Sequence, residues 1–324
     1  MCTAISVTVK DNYFGRNLDY EHSFGEKITI TPRNYEFTFR NGTAVKNHYA
    51  IIGMALPVDG YPLYFDASNE KGLSMAGLNF PDNAQYNECV QDKENVASFE
   101  FIPWILCQCQ NVKEVEKLIK NTNVTDWNFK AELPPTPLHW IIADRNRAIT
   151  VEQTNEGMTV YDNPVGVLTN NPTFNIQLFG ITNYMSVSPN EPENKFSSKT
   201  ELKTYSRGMG GIGIPGDLSS MSRFIRGCFV KLNSVWGESE TEIVNQFFHI
   251  LYSVYQQKGC VKVENGYEIT NYSSCCNTDK GIYYYTTYNN HKINAIDMHR
   301  ENLNGDSIIV YELIENEEIN IQNY

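Results

Sequence analysis

Cys2, the residue that follows Met1, could supply both a nucleophile and a base. If Met1 is removed, which a small second residue favours, Cys2 carries a thiol and a free α-amine. An unperturbed α-amine has a pKa of about 7.7 to 8.0 and an unperturbed thiol one of about 8.5, so the two can exchange a proton near neutrality. The start of the sequence therefore predicts a catalytic cysteine that carries its own general base.

Arg16 and Asp19 are the residues that could tune this pair. The stretch C-T-A-I-S-V-T-V alternates small or polar residues with apolar ones, turns at K-D-N and resumes in Y-F-G-R-N, which predicts a hairpin. On its return strand, the guanidinium of Arg16 could favour the thiolate and the carboxylate of Asp19 could hold the amine. The alternative is a buried structural cysteine beside a surface ion pair, and these residues alone leave the two interpretations about equally open.

Hydrophobic periodicity predicts two groups of strands. The first third of the chain is mostly strand and includes a buried strand over 72–80. Four short strands separated by polar turns lie within 138–170, and we expect them to form a second sheet. Three closing strands lie within 267–299.

Helices are predicted between these groups of strands. Two amphipathic helices are predicted directly after Ser98. Two further helices are predicted, one over about 220–232 and one over 242–255. Such an order suits two sheets sandwiched between helix layers. Because no repeat, linker or charge block divides the chain, we expect one domain over 1–324.

Composition limits the classes of function. The chain has 26 Lys+Arg against 38 Asp+Glu, a net charge of −12, and no basic stripe, which argues against nucleic acid as a partner. No stretch approaches the roughly 20 apolar residues of a membrane span and the start lacks a signal-peptide pattern, so we expect no membrane association and a cytoplasmic protein.

The cysteines and glycines suggest no cofactor. Eight cysteines are too sparse for a disulfide scaffold, and the pairs Cys107/Cys109 and Cys275/Cys276 lack metal-site spacing, so we predict buried, inert thiols and no metal. The string G-M-G-G-I-G over 208–213 matches a dinucleotide motif, but no apolar strand precedes it and no helix follows it directly. We expect a loop that leads into the helix at 220.

Several separated motifs carry a resemblance to a known family. They are M-C-T-A, F-G-R-N-L-D-Y, N-E-K-G-L-S-M-A-G-L-N-F, L-H-W, D-N-P-V-G-V-L-T-N-N-P and S-S-M-S-R-F. Together, from Cys2 to near Met298, they resemble choloylglycine hydrolase, also called bile salt hydrolase. The resemblance implies an N-terminal-nucleophile hydrolase with an α+β fold, a four-layer αββα sandwich of two mostly antiparallel sheets between helix layers.

The resemblance also implies a set of site residues. The implied catalytic set is Cys2, Arg16, Asp19, Asn79, Asn170 and Arg223. Asn79 and Asn170 would form an oxyanion hole through a backbone N–H and a side-chain amide, and Arg223 would support the polar wall of the site. By local sequence alone the two asparagines are equally typical of turns, and Arg223 is an ordinary helical residue.

The implied reaction is hydrolysis of the amide that joins a bile acid to glycine or taurine. The sulfur of Cys2 would attack, the α-amine would protonate the leaving amino acid, and water would cleave the thioester, with no cofactor or metal. The implied apolar pocket for the steroid is lined by Leu18, Phe24, Phe65 and Leu133. A homotetramer is implied as well.

Two alternatives remain at this point. A penicillin V acylase shares the implied nucleophile and fold, but such acylases tend to carry tyrosine at the position of Asn79. A binding protein on the same scaffold would retain Met1 and merely bury Cys2.

Overall fold

The structure is a computed structural model, and it describes residues 1–323. Within that range the strands are β1 (Cys2–Thr8), β2 (Asn12–Tyr20), β3 (Lys27–Thr31), β4 (Phe37–Thr38), β5 (Ala44–Val45), β6 (Ile51–Val58), β7 (Tyr61–Asn69), β8 (Ser74–Asn79), β9 (Glu94–Ala97), β10 (Thr122–Thr125), β11 (Leu138–Ala143), β12 (Ala148–Thr154), β13 (Gly157–Asp162), β14 (Val167–Leu168), β15 (Lys262–Val263), β16 (Gly266–Tyr267), β17 (Ile269–Asn277), β18 (Ile282–Thr287), β19 (Asn290–Asp297) and β20 (Ile309–Tyr311). The α-helices are α1 (Phe101–Gln108), α2 (Val112–Ile119), α3 (Phe174–Gly180), α4 (Ser220–Asn233) and α5 (Glu240–Tyr252).

Two antiparallel sheets form the centre of the molecule. The six-stranded sheet has the order β14-β1-β2-β17-β18-β19, and the eight-stranded sheet has the order β13-β12-β11-β8-β7-β6-β3-β20. One buried apolar cluster joins both sheets to α3, α4 and α5, and a second joins the eight-stranded sheet to α1 and α2. Helices therefore cover the outer face of each sheet, and the predicted αββα sandwich is confirmed.

The predicted hairpin at the start of the chain is confirmed. β1 pairs with β2 in antiparallel register, with Cys2 opposite Leu18 and Ala4 opposite Arg16. The alternation that predicted it arises because successive side chains point to opposite faces of a sheet. The strand predicted over 72–80 is β8, and the helices predicted over 220–232 and 242–255 are α4 and α5.

The expectation of a separate second sheet for the strands within 138–170 was wrong. β11 pairs with β8, so β11, β12 and β13 extend the sheet that already holds β3, β6, β7 and β8. β14 leaves this group and pairs with β1 in the other sheet. Alternation predicts a strand but not its partner, because the pairing depends on contacts distant in sequence. The consequence is that Asn170, two residues beyond β14, lies beside Cys2.

Some elements were not predicted from the sequence. Helix α3 and the parallel pair β9 and β10 are short, and their few apolar residues give no clear period. In the first third of the chain, predicted to be mostly strand, the segment Y-E-F-T-F-R contributes only the two residues of β4. The glycine-rich segment over 208–213 is a loop with a 3₁₀ turn at Met209–Gly211, as expected for a connection into α4.

No helix within residues 1–323 combines the length and apolar character that crossing a membrane requires.

Gly15, on the strand that carries Arg16 and Asp19, gives a test of this packing. A Cβ atom at Gly15 would lie 1.9 Å from the backbone oxygen of Ser274 on β17. We expect Gly15→Ala to lower the free energy of unfolding by about 1–3 kcal/mol, because strand β17 must move away to make room for the Cβ atom. Urea unfolding measures this.

The matched control is Gly216→Ala, since a Cβ atom there meets nothing within 4 Å. We expect its free energy of unfolding to change by no more than about 0.5 kcal/mol. An equal unfolding midpoint for Gly15→Ala and the parent protein would contradict the close approach of β2 and β17.

Candidate active site

Cys2 is held at the head of β1, between the two sheets. Its side chain is buried, and its backbone nitrogen donates a hydrogen bond to Oδ1 of Asn170 over 2.9 Å. Its carbonyl oxygen accepts a hydrogen bond from Nη1 of Arg223. The nucleophile predicted from the sequence is therefore fixed by two residues that lie more than 150 positions further along the chain.

A cavity of about 470 Å³ opens beside Cys2. Its size is that of a small-molecule site, and most of its wall is apolar. All four residues predicted for the steroid pocket line it, namely Leu18, Phe24, Phe65 and Leu133. Cys2, Arg16, Asp19 and Asn79 line it as well.

Sequence reasoning missed much of this wall. The further apolar residues include Leu56, Leu63, Phe99 and Phe129, and the run 134–138 completes one side. The proline content of the stretch E-L-P-P-T-P-L is the signal in the sequence that could have marked a rigid wall.

Arg16 is buried completely and lies against the eight-stranded sheet. Its Nη1 donates to the carbonyl oxygen of Phe65 over 2.9 Å and to that of Gly77 over 2.6 Å. Burial disfavours its charge, but acidic groups around it, Cys2 first and then Tyr272 and Asp66, raise the pKa of Arg16. A fixed positive charge therefore lies at the cavity wall, and the alternative of a surface ion pair between Arg16 and Asp19 is excluded.

Asp19 is also buried completely. Its carboxylate accepts hydrogen bonds from Oγ1 of Thr270 over 2.6 Å and from Nε2 of Gln256 over 3.3 Å. Burial raises the pKa of Asp19, and the guanidinium of Arg223, with Nη1 3.9 Å from Oδ2, opposes that rise. With Met1 present, the Cys2 nitrogen is a peptide nitrogen and is bonded to Asn170, and the expected contact of the carboxylate with a free α-amine stays a prediction.

The backbone of Asp19 meets the start of the chain. Its carbonyl oxygen accepts a hydrogen bond from the α-amine of Met1 over 2.6 Å, and its N–H donates to the Met1 carbonyl over 2.9 Å. Met1 lines the cavity, and burial lowers the pKa of its amine. The amine also forms an ion pair with the carboxylate of Glu268.

Asn170 connects the other predicted residues. Its Oδ1 accepts from the Cys2 nitrogen and, over 2.6 Å, from Nη2 of Arg223, while its Nδ2 donates to the carbonyl oxygen of Asn79 over 2.7 Å. Arg223 also donates to Oγ1 of Thr3 over 2.7 Å. Because Arg223 can only donate, it fixes which end of the Asn170 amide faces Cys2. Asn79 lines the cavity, and the Asn170 side chain is bonded to both Cys2 and Asn79, two residues of the cavity wall.

The remaining cysteines take no part in this site. Cys107, Cys109, Cys275 and Cys276 are buried as predicted, and burial raises the pKa of each thiol. Within residues 1–323 no three His, Cys, Asp or Glu side chains are grouped to hold a metal ion.

An αββα sandwich whose first inner strand begins at a cysteine, with that cysteine facing a cavity, is the architecture of the N-terminal-nucleophile hydrolases. The family model for linear amide C–N hydrolases, choloylglycine hydrolase family, matches residues 2–311. The chain belongs to this family.

Individual relatives agree with that placement. A bile salt hydrolase/transferase from Lactiplantibacillus plantarum is 54% identical over 314 residues, which cover 97% of each chain. The crystal structure of a mutant conjugated bile acid hydrolase from Clostridium perfringens superposes with a TM-score of 0.92 at 39% identity over 100% of both chains. A penicillin V acylase from Agrobacterium tumefaciens shares the fold, with a TM-score of 0.77 at 16% identity over 96% of this chain and 91% of its own.

We expect Arg16→Met and Asp19→Asn each to lower kcat for amide hydrolysis at least about tenfold while KM changes less than about threefold. Both charges lie beside Cys2, where they support the reacting state more than the bound substrate. Steady-state kinetics of the purified variants measure both constants.

The matched control is Arg33→Met, which removes a half-buried arginine that is paired with Glu70 outside the cavity. Its kcat should stay within about twofold of the parent value. A change confined to KM in the Arg16 and Asp19 variants would instead assign these residues to substrate binding.

Proposed function

We propose that the protein hydrolyses the amide bond of bile salts conjugated to glycine or taurine. The observation that carries the proposal is the position of Cys2 at the wall of a mostly apolar cavity of about 470 Å³. The relatives named above are a bile salt hydrolase/transferase and a conjugated bile acid hydrolase, which supports the same substrate class. A rigid apolar body in this cavity would hold the scissile amide against the sulfur of Cys2.

In the proposed reaction Cys2 attacks the carbonyl carbon of the amide. The negative charge on the tetrahedral intermediate is stabilised by the backbone N–H of Asn79 and the side-chain amide of Asn170. The Asn170 amide uses one N–H on the carbonyl of Asn79, which leaves its second N–H for the substrate oxygen. The departing amine takes a proton from the α-amine of Cys2, and water then cleaves the thioester.

The proposal requires removal of Met1. A peptide nitrogen is not a base, so Cys2 can act as its own base only when its nitrogen is a free amine. The hydrogen bond from this nitrogen to Asn170 needs no change on removal, since Asn170 is held independently by Arg223 and Asn79. Removal also clears Met1 from the cavity wall.

The two charged residues have separate proposed roles. Arg16, fixed on the carbonyl oxygens of Phe65 and Gly77, favours the thiolate of Cys2. Asp19 supplies negative charge that keeps Arg223 and the α-amine in place. Leu18, Phe24, Phe65 and Leu133 bind the steroid, with the rings of Phe24 and Phe65 5.6 Å apart at one side of the cavity.

Assembly and location form a further part of the proposal. The homotetramer implied by the family resemblance would cover exposed apolar side chains on α3 and on the loop that follows it. Phe179, Met185, Phe196 and Tyr205 are between 71% and 86% exposed, and contacts between subunits would bury such side chains. The cysteines of residues 1–323 are all free, which supports a reducing compartment such as the cytoplasm.

We expect kcat/KM for glycocholate or taurocholate to exceed that for penicillin V by at least about a hundredfold, equivalent to roughly 2.7 kcal/mol of differential transition-state binding. A bile salt offers a larger rigid apolar surface to this cavity than penicillin V does. The measurement is release of glycine or taurine beside release of 6-aminopenicillanic acid, with one enzyme stock at one pH.

The control is Cys2→Ser, which should fold but lose nearly all turnover, because a hydroxyl is a poorer nucleophile beside the same weak base. Equal or reversed ratios in the parent protein would show that the pocket suits a penicillin. Undiminished turnover by Cys2→Ser would show that another residue attacks, and a binding protein would cleave neither substrate.

A further inference from the structure

His139 lies directly behind the asparagines that the proposed function uses. It is on β11, has no exposed surface, and pairs in register with Leu78 on β8. Its ring stacks on Phe80, with ring centroids 4.1 Å apart and 6° between the planes. Since Phe80 follows Asn79 in the chain, the ring contacts the segment that presents Asn79 to the cavity.

The nitrogens of His139 reach a second segment. Nε2 lies 2.8 Å from the carbonyl oxygen of Thr169, the residue before Asn170. Nδ1 lies 3.0 Å from Oε1 of Glu152, which also accepts the backbone N–H of Phe174 over 2.9 Å. A carbonyl oxygen can only accept, so Nε2 carries a proton and donates a hydrogen bond to Thr169. The contacts of the two ring nitrogens lock the ring in orientation.

These contacts join two parts of the site that the fold places in different sheets. Asn79 ends β8 of the eight-stranded sheet, and Asn170 follows β14 of the six-stranded sheet. Two donors that act on one oxyanion must keep their separation, and a displacement of about 1 Å can cost about a hundredfold in rate. The bond from Asn170 Nδ2 to the Asn79 carbonyl joins the two directly, and a buried ring that stacks beside one asparagine and bonds beside the other supports that separation from the adjoining backbone.

We propose that His139 is a positioning residue that fixes Asn79 and Asn170 relative to each other for the attack of Cys2. The inference rests on the proposed function and assigns a role to the histidine of L-H-W that neither substrate contact nor proton transfer to the substrate explains. Asn170 is also held from the side of α3 and α4, by Gln177 and by Oγ of Ser220 at 2.8 Å. Losing the His139 bond should therefore shift Asn170 without unfolding the site.

The test compares His139→Gln with His139→Asn. The amide nitrogen of glutamine reaches about as far as Nε2 of histidine and can still donate to Thr169, whereas that of asparagine reaches the position of Nδ1 and can bond only Glu152. Both variants lose the ring. We expect His139→Asn to lower kcat at least about tenfold with KM within about threefold, and His139→Gln to stay within about threefold of the parent kcat.

A second readout separates positioning from general damage. Alkylation of Cys2 by iodoacetamide, followed on the Cys2 peptide by mass spectrometry, forms no oxyanion. A shifted oxyanion site should therefore leave the alkylation rate unchanged. The matched control is His48→Asn, because His48 is also buried and bonds the carbonyl oxygens of Tyr49 and Tyr35 at 2.7 and 2.9 Å, outside the cavity. Its kcat should stay within about twofold of the parent value.

Equal losses of kcat in the two His139 variants, or an alkylation rate that falls as far as kcat, would overturn the proposal. If His139→Asn does not fold, His139→Leu removes every donor to Thr169 while keeping an apolar side chain beside Phe80, and the same loss of kcat at constant alkylation is expected. An unchanged kcat in His139→Leu would count against the role of His139. A parent protein that cleaves no conjugated bile salt overturns the proposed function itself, a result visible before any variant is compared.

Discussion

The hydrogen bond from the Cys2 nitrogen to Oδ1 of Asn170 is the interaction on which the site depends. It forms because β14 leaves the strands that precede it and pairs with β1, so that Asn170 arrives beside the head of β1. Arg223 from α4 then bonds both partners, at the carbonyl of Cys2 and at Oδ1 of Asn170. The β1–β14 pairing, helix α4 and the β1–β2 hairpin therefore meet at Oδ1 of Asn170. A shift of any of them displaces Cys2.

The same region holds more buried charge than a stable core requires. Arg16, Asp19, Asp66 and Arg223 each have almost no exposed surface. Burying a charge is unfavourable unless it is paired and hydrogen-bonded. Each of the four is hydrogen-bonded, and Asp19 and Arg223 also form an ion pair, whereas Nη2 of Arg16 has no hydrogen-bond partner within residues 1–323. Asp66, for example, accepts from the hydroxyls of Tyr272 and Tyr283, both over 2.7 Å. Such a cluster contributes less to stability than apolar packing would, and it suits the ionisation chemistry that we propose for Cys2.

The sequence predicted the local structure well and the long-range contacts poorly. The hairpin of Cys2, Arg16 and Asp19 followed from alternation, and α4 and α5 followed from a helical period, because both signals are local. Nothing local shows that Asn170 meets Cys2, and only the family resemblance selected it together with Arg223. For the same reason, the predicted separate sheet for β11 was wrong, and the pairing of β14 with β1 was not predicted. His139 escaped notice because one histidine in a buried strand has no distinctive pattern.

The central claim is that Cys2, freed of Met1, forms a covalent acyl intermediate. The most direct measurement is to quench the enzyme with acid during turnover of glycocholate and to analyse the N-terminal peptide by mass spectrometry. The account predicts a peptide that begins at Cys2, carries a free α-amine and includes a fraction with a cholyl group on sulfur. Normal turnover by protein that retains Met1, or an acyl group found on another residue, would contradict it.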